Sequence, residues 1–597
     1  MSTTLGPILP NQPEPPSASI LGPLTSPAAE GAAKSAIAKR ADSPLLPLLF
    51  SAQTLLPCLP LPFPSDPDCP PSPKRRYRST YHYPSPQVLL QEGKLETMTD
   101  FQISLHLIDF SPIRDELARI YRPSRKGQVP FDPVSMALSV CLRIEKGLSW
   151  NATSTLLKSE EGAPWRRLFG FAEGQTPSAS GLRDFFGKLG DEFFAELCPR
   201  SIDLLRRQGL FPEHSSYPGD PEDRGVSLCQ DGMLHPARSR PSCQLATEEC
   251  YRPVALPAEA GMEGGQGAPT GAPADGRRAN PEQTDSGPGR PCRARAKGLE
   301  GCRCDGPECV RQCRRASRLD KEARFIHYEG HNHKHDRQGS ETKGQGIDLF
   351  GYRSVADRVL DDRFAVAWTL RSKLYPANTD ERSVFKLELT QVKERFKELA
   401  IGEVLADSGL GYSECLDAVW EAGALRMIDI REDPSDKEFE ACLRRGYDGK
   451  GHPLCPHGYP MSPNGYDYRR RRAKYVCNQI CRRVPLREDQ PVQPPSGCPY
   501  LDPSHPLGSV QNLGRAFRDG SVRLAREIPY GSDDWKARYG RRNLSESRNG
   551  QLQMLGLKRM HSYGLGRNEK EVQLADFLIN LHTLGRLVRQ ATTMNRN

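Results

Sequence analysis

Hydrophobic positions along this chain follow two regimes. From residue 98 to about 215 they recur at helical spacing. Ile113, Leu117 and Ile120 share one face behind a Ser111-Pro112 start. Val134, Leu138, Cys141 and Ile144 form one stripe behind Asp132-Pro133, which Gly147 ends. Further short helices are predicted over 149–158 and 178–189, on either side of an aromatic segment at 165–171. From about residue 222 the apolar runs become short and continuous, as buried strands are. They fall at 226–230, 352–355, 364–370, 403–406 and 426–430, with Asp361-Asp362 as the turn between the second and third. Helices are predicted over 381–399 and from a Ser413 cap to Gly423. One more closes the chain, where Leu574, Phe577, Leu578, Leu581, Leu584 and Val588 repeat at core spacing. Strands alternating with helices predict an α/β core with a mixed sheet, preceded by an all-helical N-terminal domain over 98–215.

Three stretches keep no period. Residues 1–97 are rich in Pro, Ser and Ala and hold too little apolar surface to offset chain ordering. A disordered extension is expected there, with Met98 a candidate alternative start. A Gly-, Pro-, Ala- and Arg-rich insert at 233–318 interrupts the first core segment, 222–432. A basic, cysteine-containing insertion at 433–538 separates that segment from a C-terminal part, 539–597. The apolar run over 45–63 is broken by Pro47, Pro57, Pro60 and Pro62 and falls short of the roughly 18 residues that span a bilayer. No membrane partner and a cytoplasmic location are therefore expected. A net charge of +9 over 597 residues suits a polyanionic partner, but it suits many cytosolic proteins equally. Eighteen cysteines in so long a chain read as thiols or zinc ligands rather than as a disulfide framework.

Two of the 74 acidic residues stand out. Asp231 and Asp407 each follow a short apolar run and shortly precede a glycine, Gly232 and Gly409. Each is expected at a strand end, on the rim of the sheet where α/β proteins place their chemistry. Glu546 lies in a helix whose Leu544, Leu552 and Leu555 share one face. At about 200° from Leu544 it points away from that stripe. Three carboxylates brought together repel one another unless a divalent cation neutralises them. An all-oxygen set suits Mg2+ or Mn2+, which bind phosphate oxygens and support in-line displacement at phosphorus. A strand-end Asp is more often only a turn or cap residue, so the acidic pattern by itself leaves both readings open.

The surroundings of these acids resemble DDE transposases of bacterial insertion sequences. Phe131-Asp-Pro-Val134, Gly147-Leu-Ser-Trp150 and the segment 177–185 look like the N-terminal domain of that family. Val226-Ser-Leu-Cys-Gln-Asp-Gly232 resembles its first catalytic strand. Phe350-Gly-Tyr-Arg353 with Pro376-Ala-Asn378 matches the region between the first two acids, and Val404-Leu-Ala-Asp-Ser-Gly409 with Tyr412 the second acidic motif. The most specific element is Tyr539, Arg542 and Glu546 at Tyr-x2-Arg-x3-Glu spacing. The Lys usual seven residues after that Glu is Gln553 here, with Lys558 close by. The resemblance covers residues 100–597 apart from the two insertions. It implies an RNase H-like catalytic core, with an insertion before the helix that carries Glu546, and Mg2+ (or Mn2+) held by Asp231, Asp407 and Glu546. It also implies phosphate contacts from Tyr539 and Arg542, with Lys558 a candidate for the missing Lys. The implied activity is cleavage at the terminal inverted repeats of an insertion sequence and strand transfer into target DNA, by a homo-oligomer in a synaptic complex. A zinc-containing DNA-binding relic without chemistry, and a metal-dependent nuclease without strand transfer, are the alternatives.

Cys455, Cys477, Cys481 and Cys498 are spaced C-x21-C-x3-C-x16-C in the second insertion, with His457 a substitute ligand. They read either as a structural zinc site or as free thiols in a loop-rich insert. Cys302, Cys304, Cys309 and Cys313 form a tighter cluster in the first insert, where thiols outweigh zinc. His331, His333 and His335 alternate in what reads as a solvated loop. Arg469, Arg470, Arg471, Arg472 and Lys474, interleaved with Tyr466, Tyr468 and Tyr475, form the densest basic stretch. Such a run is usually a solvated face; in a DNA enzyme it becomes a phosphate contact that weakens with salt. The helices over 149–189 are a candidate helix-turn-helix reader of terminal repeats, or else a packing or dimerisation unit.

Overall fold

In a computed structural model, the described residues are 76–91, 93–121, 128–239, 319–328, 347–430, 443–467, 472–477 and 526–596, with a few short pieces between them. Cys302, Cys304, Cys309, Cys313, His331, His333, Arg469, Arg471 and Cys498 lie outside them.

The helical part opens with α1 (Asp100–Leu107), started by a capping box in which Thr99 and Gln102 exchange hydrogen bonds. A turn of 3-10 helix at Ser111–Ile113 leads into the short α2 (Arg114–Ala118). Asp132 then caps α3 (Pro133–Glu145), with Pro133 in the first turn as the sequence predicts. Ser149 caps α4 (Trp150–Lys158), and α5 (Ala163–Phe169) carries part of the aromatic segment. Ser178 caps α6 (Ala179–Lys188), and α7 (Asp191–Ala195) and α8 (Leu197–Arg207) complete the group.

Residues 76–97, expected to be disordered, are folded onto these helices. Tyr81, Leu89 and Leu95 are buried. The Tyr81 amide donates to Asp132 Oδ2 at 3.0 Å, and the Asp132 amide donates to Ser79 Oγ at 2.9 Å. This segment inserts single apolar side chains between helices instead of presenting a periodic face, so its pattern gives no signal.

The sheet has β1 (Val226–Pro236) at its centre. On one side stand β3 (Ile347–Asp361), then β4 (Val366–Pro376), both antiparallel to their neighbours; β2 (Arg324–Tyr328) pairs with the start of β3. After α9 (Glu381–Arg395), β5 (Ile401–Ala406) pairs in parallel with the other side of β1. After α10 (Ser413–Glu421), β6 (Leu425–Ile428) pairs in parallel with β5. The order is β4-β3-β1-β5-β6. The molecule is thus a mixed α/β protein with a mixed sheet.

Two boundaries differ from the sequence reading. β1 runs to Pro236, so Asp231 sits within the strand rather than at its end, and the first insert starts after residue 239 instead of at 233. This continuation, in which only His235 is buried, is disguised by polar residues. His235 is fully buried, yet its ring nitrogens lie 2.7 Å from the Leu557 carbonyl and 2.8 Å from Ser354 Oγ. Burial lowers its pKa to about 4, which keeps the ring neutral. Likewise Arg353, Ser354, Asp357 and Arg358 are buried in β3, which therefore extends well beyond the apolar run at 352–355. At the other end, the core resumes before residue 539. Arg526 and Ile528 are buried, and Glu527 pairs with Arg426 of β6 at 2.7 Å.

The described part of the second insertion is a small antiparallel sheet of β7 (Ser462–Asp467), β8 (Arg472–Val476) and β9 (Val510–Leu513) around Met461, Ala473 and Tyr475. Then follow α11 (Asp533–Gly540), α12 (Arg542–Met554) and the long α13 (Leu565–Arg596). α13 joins the two regions. It lies against β4, where Asn580 receives the Thr369 amide and donates back to its carbonyl. It also meets α1, where Ser104 Oγ donates to the Leu581 carbonyl, and α3, through Arg143 and Glu571 at 2.8 Å. Among the described residues no helix is long and apolar enough to cross a membrane.

Two outcomes are expected from this packing. A chain starting at Met98 loses the buried side chains of Tyr81, Leu89 and Leu95, each contributing roughly 1.5–3 kcal/mol, and should melt well below a chain starting at Arg76. Arg548 and Asp576 form a fully buried ion pair at 2.6 Å between α12 and α13. Asp576→Ala strands that arginine and should cost about 3–5 kcal/mol in urea unfolding, much of it recovered by Arg548→Met with Asp576→Leu.

Candidate active site

The sheet register brings the two sequence-predicted aspartates together. Cys229 pairs with Leu405 in the parallel β1–β5 ladder, so two residues further on Asp407, just past the end of β5, falls beside Asp231. Cys229 and Leu405 belong to the cluster that α11 and α12 cover with Trp535 and Leu544. By the two-residue alternation of strands, both aspartates project on that same face. Their strands end at different heights, and this decides their exposure. Asp231 is partly buried within its strand, whereas the Asp407 side chain is 62% exposed and accepts the Ser408 amide at 2.7 Å.

α12 supplies the third acid, and buried arginines hold that helix in place. Arg358, opposite Cys229 on β3, donates to the Ser545 carbonyl at 2.9 Å and the Ala367 carbonyl at 2.6 Å. Burial lowers its pKa to about 10, so it stays charged at neutral pH. Just before α12, Arg538 and Arg541 both pair with the buried Glu403 of β5; Arg538 also pairs with Asp220, and Arg541 with Asp362 at 2.7 Å. The first turn of α12 then places Arg542 between the acids. Its guanidinium lies 2.5 Å from Glu546 Oε1 and 4.0 Å from Asp407 Oδ2. Desolvation opposes that charge, but Tyr539, Asp407 and Glu546 more than offset it and hold the Arg542 pKa above its ordinary value.

Asp231 is the desolvated member of the set. Burial raises its pKa above the ordinary value, Arg548 and Arg542 pull it back, and Glu546 adds to the rise. Asn549, three residues after Glu546 on α12, donates from Nδ2 to Asp231 Oδ2 at 3.0 Å. Asp231, Asp407 and Asn549 line a cleft of ≈ 360 Å³ together with Gln230, Arg353 and Glu381, among others; Arg542 and Glu546 are not among its lining residues. Glu381 opens α9 and pairs with Arg353 at 2.5 Å.

Sequence reasoning missed Asn549, Glu381 and Arg353 as lining residues. A signal existed for Asn549, which sits at i+3 from Glu546 on a helix already predicted. Arg353 lay in a quoted motif, but its convergence with Glu381 depends on where α9 returns to the sheet.

The other predicted residues are dispersed. Tyr539 stacks on Trp535 at 4.7 Å between ring centroids, with Arg542 5.9 Å from its ring; burial pushes its hydroxyl pKa well up. Lys558 is exposed in the turn after α12 and does not line the cleft. Arg470 and Arg472 are exposed beside the small sheet. Cys455 and Cys477 pack against its core, and Cys481 is buried nearby in sequence. Among the described residues no three His, Cys, Asp or Glu side chains converge closely enough to hold a metal ion, in this sheet or in the cleft. Beside the cleft, the Arg542 guanidinium lies between Glu546 and Asp407. The cleft's carboxylates, Asp231, Glu381 and Asp407, with the Gln230 amide beside them, offer oxygen ligands of the kind a hard, hydrated cation such as Mg2+ or Mn2+ takes.

Fold and cleft together define a mixed α/β protein with a carboxylate-lined cleft. No protein family matches the chain, and no curated protein matches it significantly.

Since folding raises the Asp231 pKa, its protonated form stabilises the fold. That contribution is complete below the ordinary carboxylate value and is lost as pH rises through the raised one. Asp231→Asn is therefore expected to raise the melting temperature at neutral pH. The gain over wild type should shrink in melts run at progressively lower pH.

Proposed function

We propose that the protein is a DDE-type DNA transposase: a metal-dependent enzyme that cleaves DNA at the ends of an insertion sequence and joins them to target DNA. The observation that carries this reading is the placement of the acids. Asp231 lies on the central strand, Asp407 follows the adjacent parallel strand, and Glu546 comes from a helix laid across the same face. A central strand flanked by an antiparallel hairpin on one side and two parallel strands on the other is the arrangement expected of an RNase H-like core. The insertion between β6 and α11 falls where the resemblance in the sequence implies one.

On this reading Asp231, Asp407 and Glu546 hold Mg2+ or Mn2+, which when bound supplies an activated water and stabilises charge at phosphorus. The side chains do the rest. Asp231, within its strand and tied to Asn549, is the fixed point of the site. Asp407, exposed at the strand end, faces the incoming phosphate. Arg542 exchanges its carboxylate partners for a DNA phosphate when a cation takes over their charge; its planar fork suits that contact. Water attack on the phosphodiester leaves a 3′-hydroxyl and a 5′-phosphate. The 3′-oxygen then attacks a target phosphodiester and releases the target's own 3′-oxygen. Arg470 and Arg472 add sequence-independent phosphate contacts, and joining two ends requires a homo-oligomer.

The test is a Mg2+-dependent cleavage and joining assay on the DNA that flanks the gene. Wild type should cut at defined ends and give joined products. Asp407→Asn should lose at least about 10³-fold in rate while still binding DNA in a salt-sensitive way. Cutting without joined products would point to a nuclease, and binding without cutting in either protein to a DNA-binding relic.

A further inference from the structure

We infer that Asn549 is the positioning residue for Asp231: its amide nitrogen fixes the carboxylate in the orientation of a cation ligand. This inference rests on the metal-dependent reading above.

The geometry is specific. The Gly232 backbone N–H donates to the Asp231 carboxylate, and Asn549 Nδ2 donates to Oδ2 of that group at 3.0 Å. The amide orientation is dictated by this contact, because the reverse would set its oxygen against the carboxylate. Asn549 Oδ1 is consequently left buried beside the cleft without a donor. An unmet buried acceptor is costly, and protein side chains close by do not relieve it. Arg548 is committed to Asp576 and Ser354, and Arg542 to Glu546 and Asp407. Nor can the helix shift to find a partner, since Arg358 and the Arg548–Asp576 pair bind it to the sheet and to α13. The amide is therefore held in the one orientation that serves Asp231, at the cost of its own acceptor. Residues 546 and 549 lie about 60° apart on the helix, so Glu546 and Asn549 address the same region.

A neutral amide also suits the task chemically. Lysine or arginine at this position would orient Asp231 equally well but would compete with the cation for its charge. Hydrogen-bonded partners of ligating carboxylates set ligand orientation, and their removal typically weakens metal affinity by 10–100-fold.

The experiment is a Mn2+ titration of the full chain without DNA, followed by electron paramagnetic resonance, on wild type, Asn549→Ala, Asn549→Leu and Asp231→Asn. The leucine keeps the asparagine's approximate volume and removes both polar atoms, so agreement between the two Asn549 variants excludes a packing defect. Metal-free melting temperatures of both should stay near wild type, since neither weakens helix propensity. Mn2+ affinity is expected to fall roughly 10–100-fold in both, and binding to be lost in Asp231→Asn. Wild-type affinity in the two Asn549 variants, with binding lost in Asp231→Asn, would overturn the role of Asn549 and leave the metal reading standing. Unchanged Mn2+ binding in Asp231→Asn, or none in wild type, would overturn the metal reading and this inference with it.

Discussion

Buried arginines seat α12 on the sheet, and the geometry of the cleft depends on that seating. Arg538 and Arg541 converge on Glu403 from the end of α11, Arg358 reaches from β3 to the carbonyl beside Glu546, and Arg548 pairs with Asp576 on α13. A buried guanidinium without partners is far too costly to persist, so each of these contacts admits little displacement. Apolar packing of Leu552 and Trp535 supplies attraction without direction. The ionic and hydrogen-bonded contacts fix the helix rotation, and that rotation turns Asn549 into the cleft and sets Arg542 between Glu546 and Asp407.

That seating creates an electrostatic asymmetry. Asp231 lies within a strand and under a helix, so its charge is poorly solvated. Asp407 lies one residue past a strand end and is mostly exposed. Arg542, less exposed than the acids it bridges, pairs with Asp407 and Glu546, and both it and the buried Arg548 act on Asp231. One acid is thus fixed and desolvated, and two are more exposed and share the Arg542 counter-charge. The proposed chemistry uses this division: the fixed acid anchors a metal, and the bridging arginine is released toward a polyanion.

Much of the fold was legible because its elements announce themselves locally. Pro133 behind its Asp132 cap, the serine caps of α4 and α6, and the short apolar runs of β5 and β6 each carry their own signal. The signal failed where polar residues are buried with partners distant in sequence. His235 continues β1 because Leu557 and Ser354 satisfy its ring, and Arg353 to Arg358 belong to a strand whose charges are met by α9 and α12. Residues 76–97 were missed for a related reason: Leu89 and Leu95 are buried singly, with no period to detect.

The sequence by itself determined the alternation of elements and singled out three carboxylates as candidates, because strand runs, caps and a Tyr-x2-Arg-x3-Glu spacing are properties of neighbouring residues. It did not determine that Asp231 lies within its strand, that Arg542 stands between Asp407 and Glu546, or that Asn549 holds Asp231. Those facts arise from contacts across separations such as the 318 positions between Asn549 and Asp231. Only the parallel register of β1 with β5, and the charged seating of α12 above them, bring such residues together.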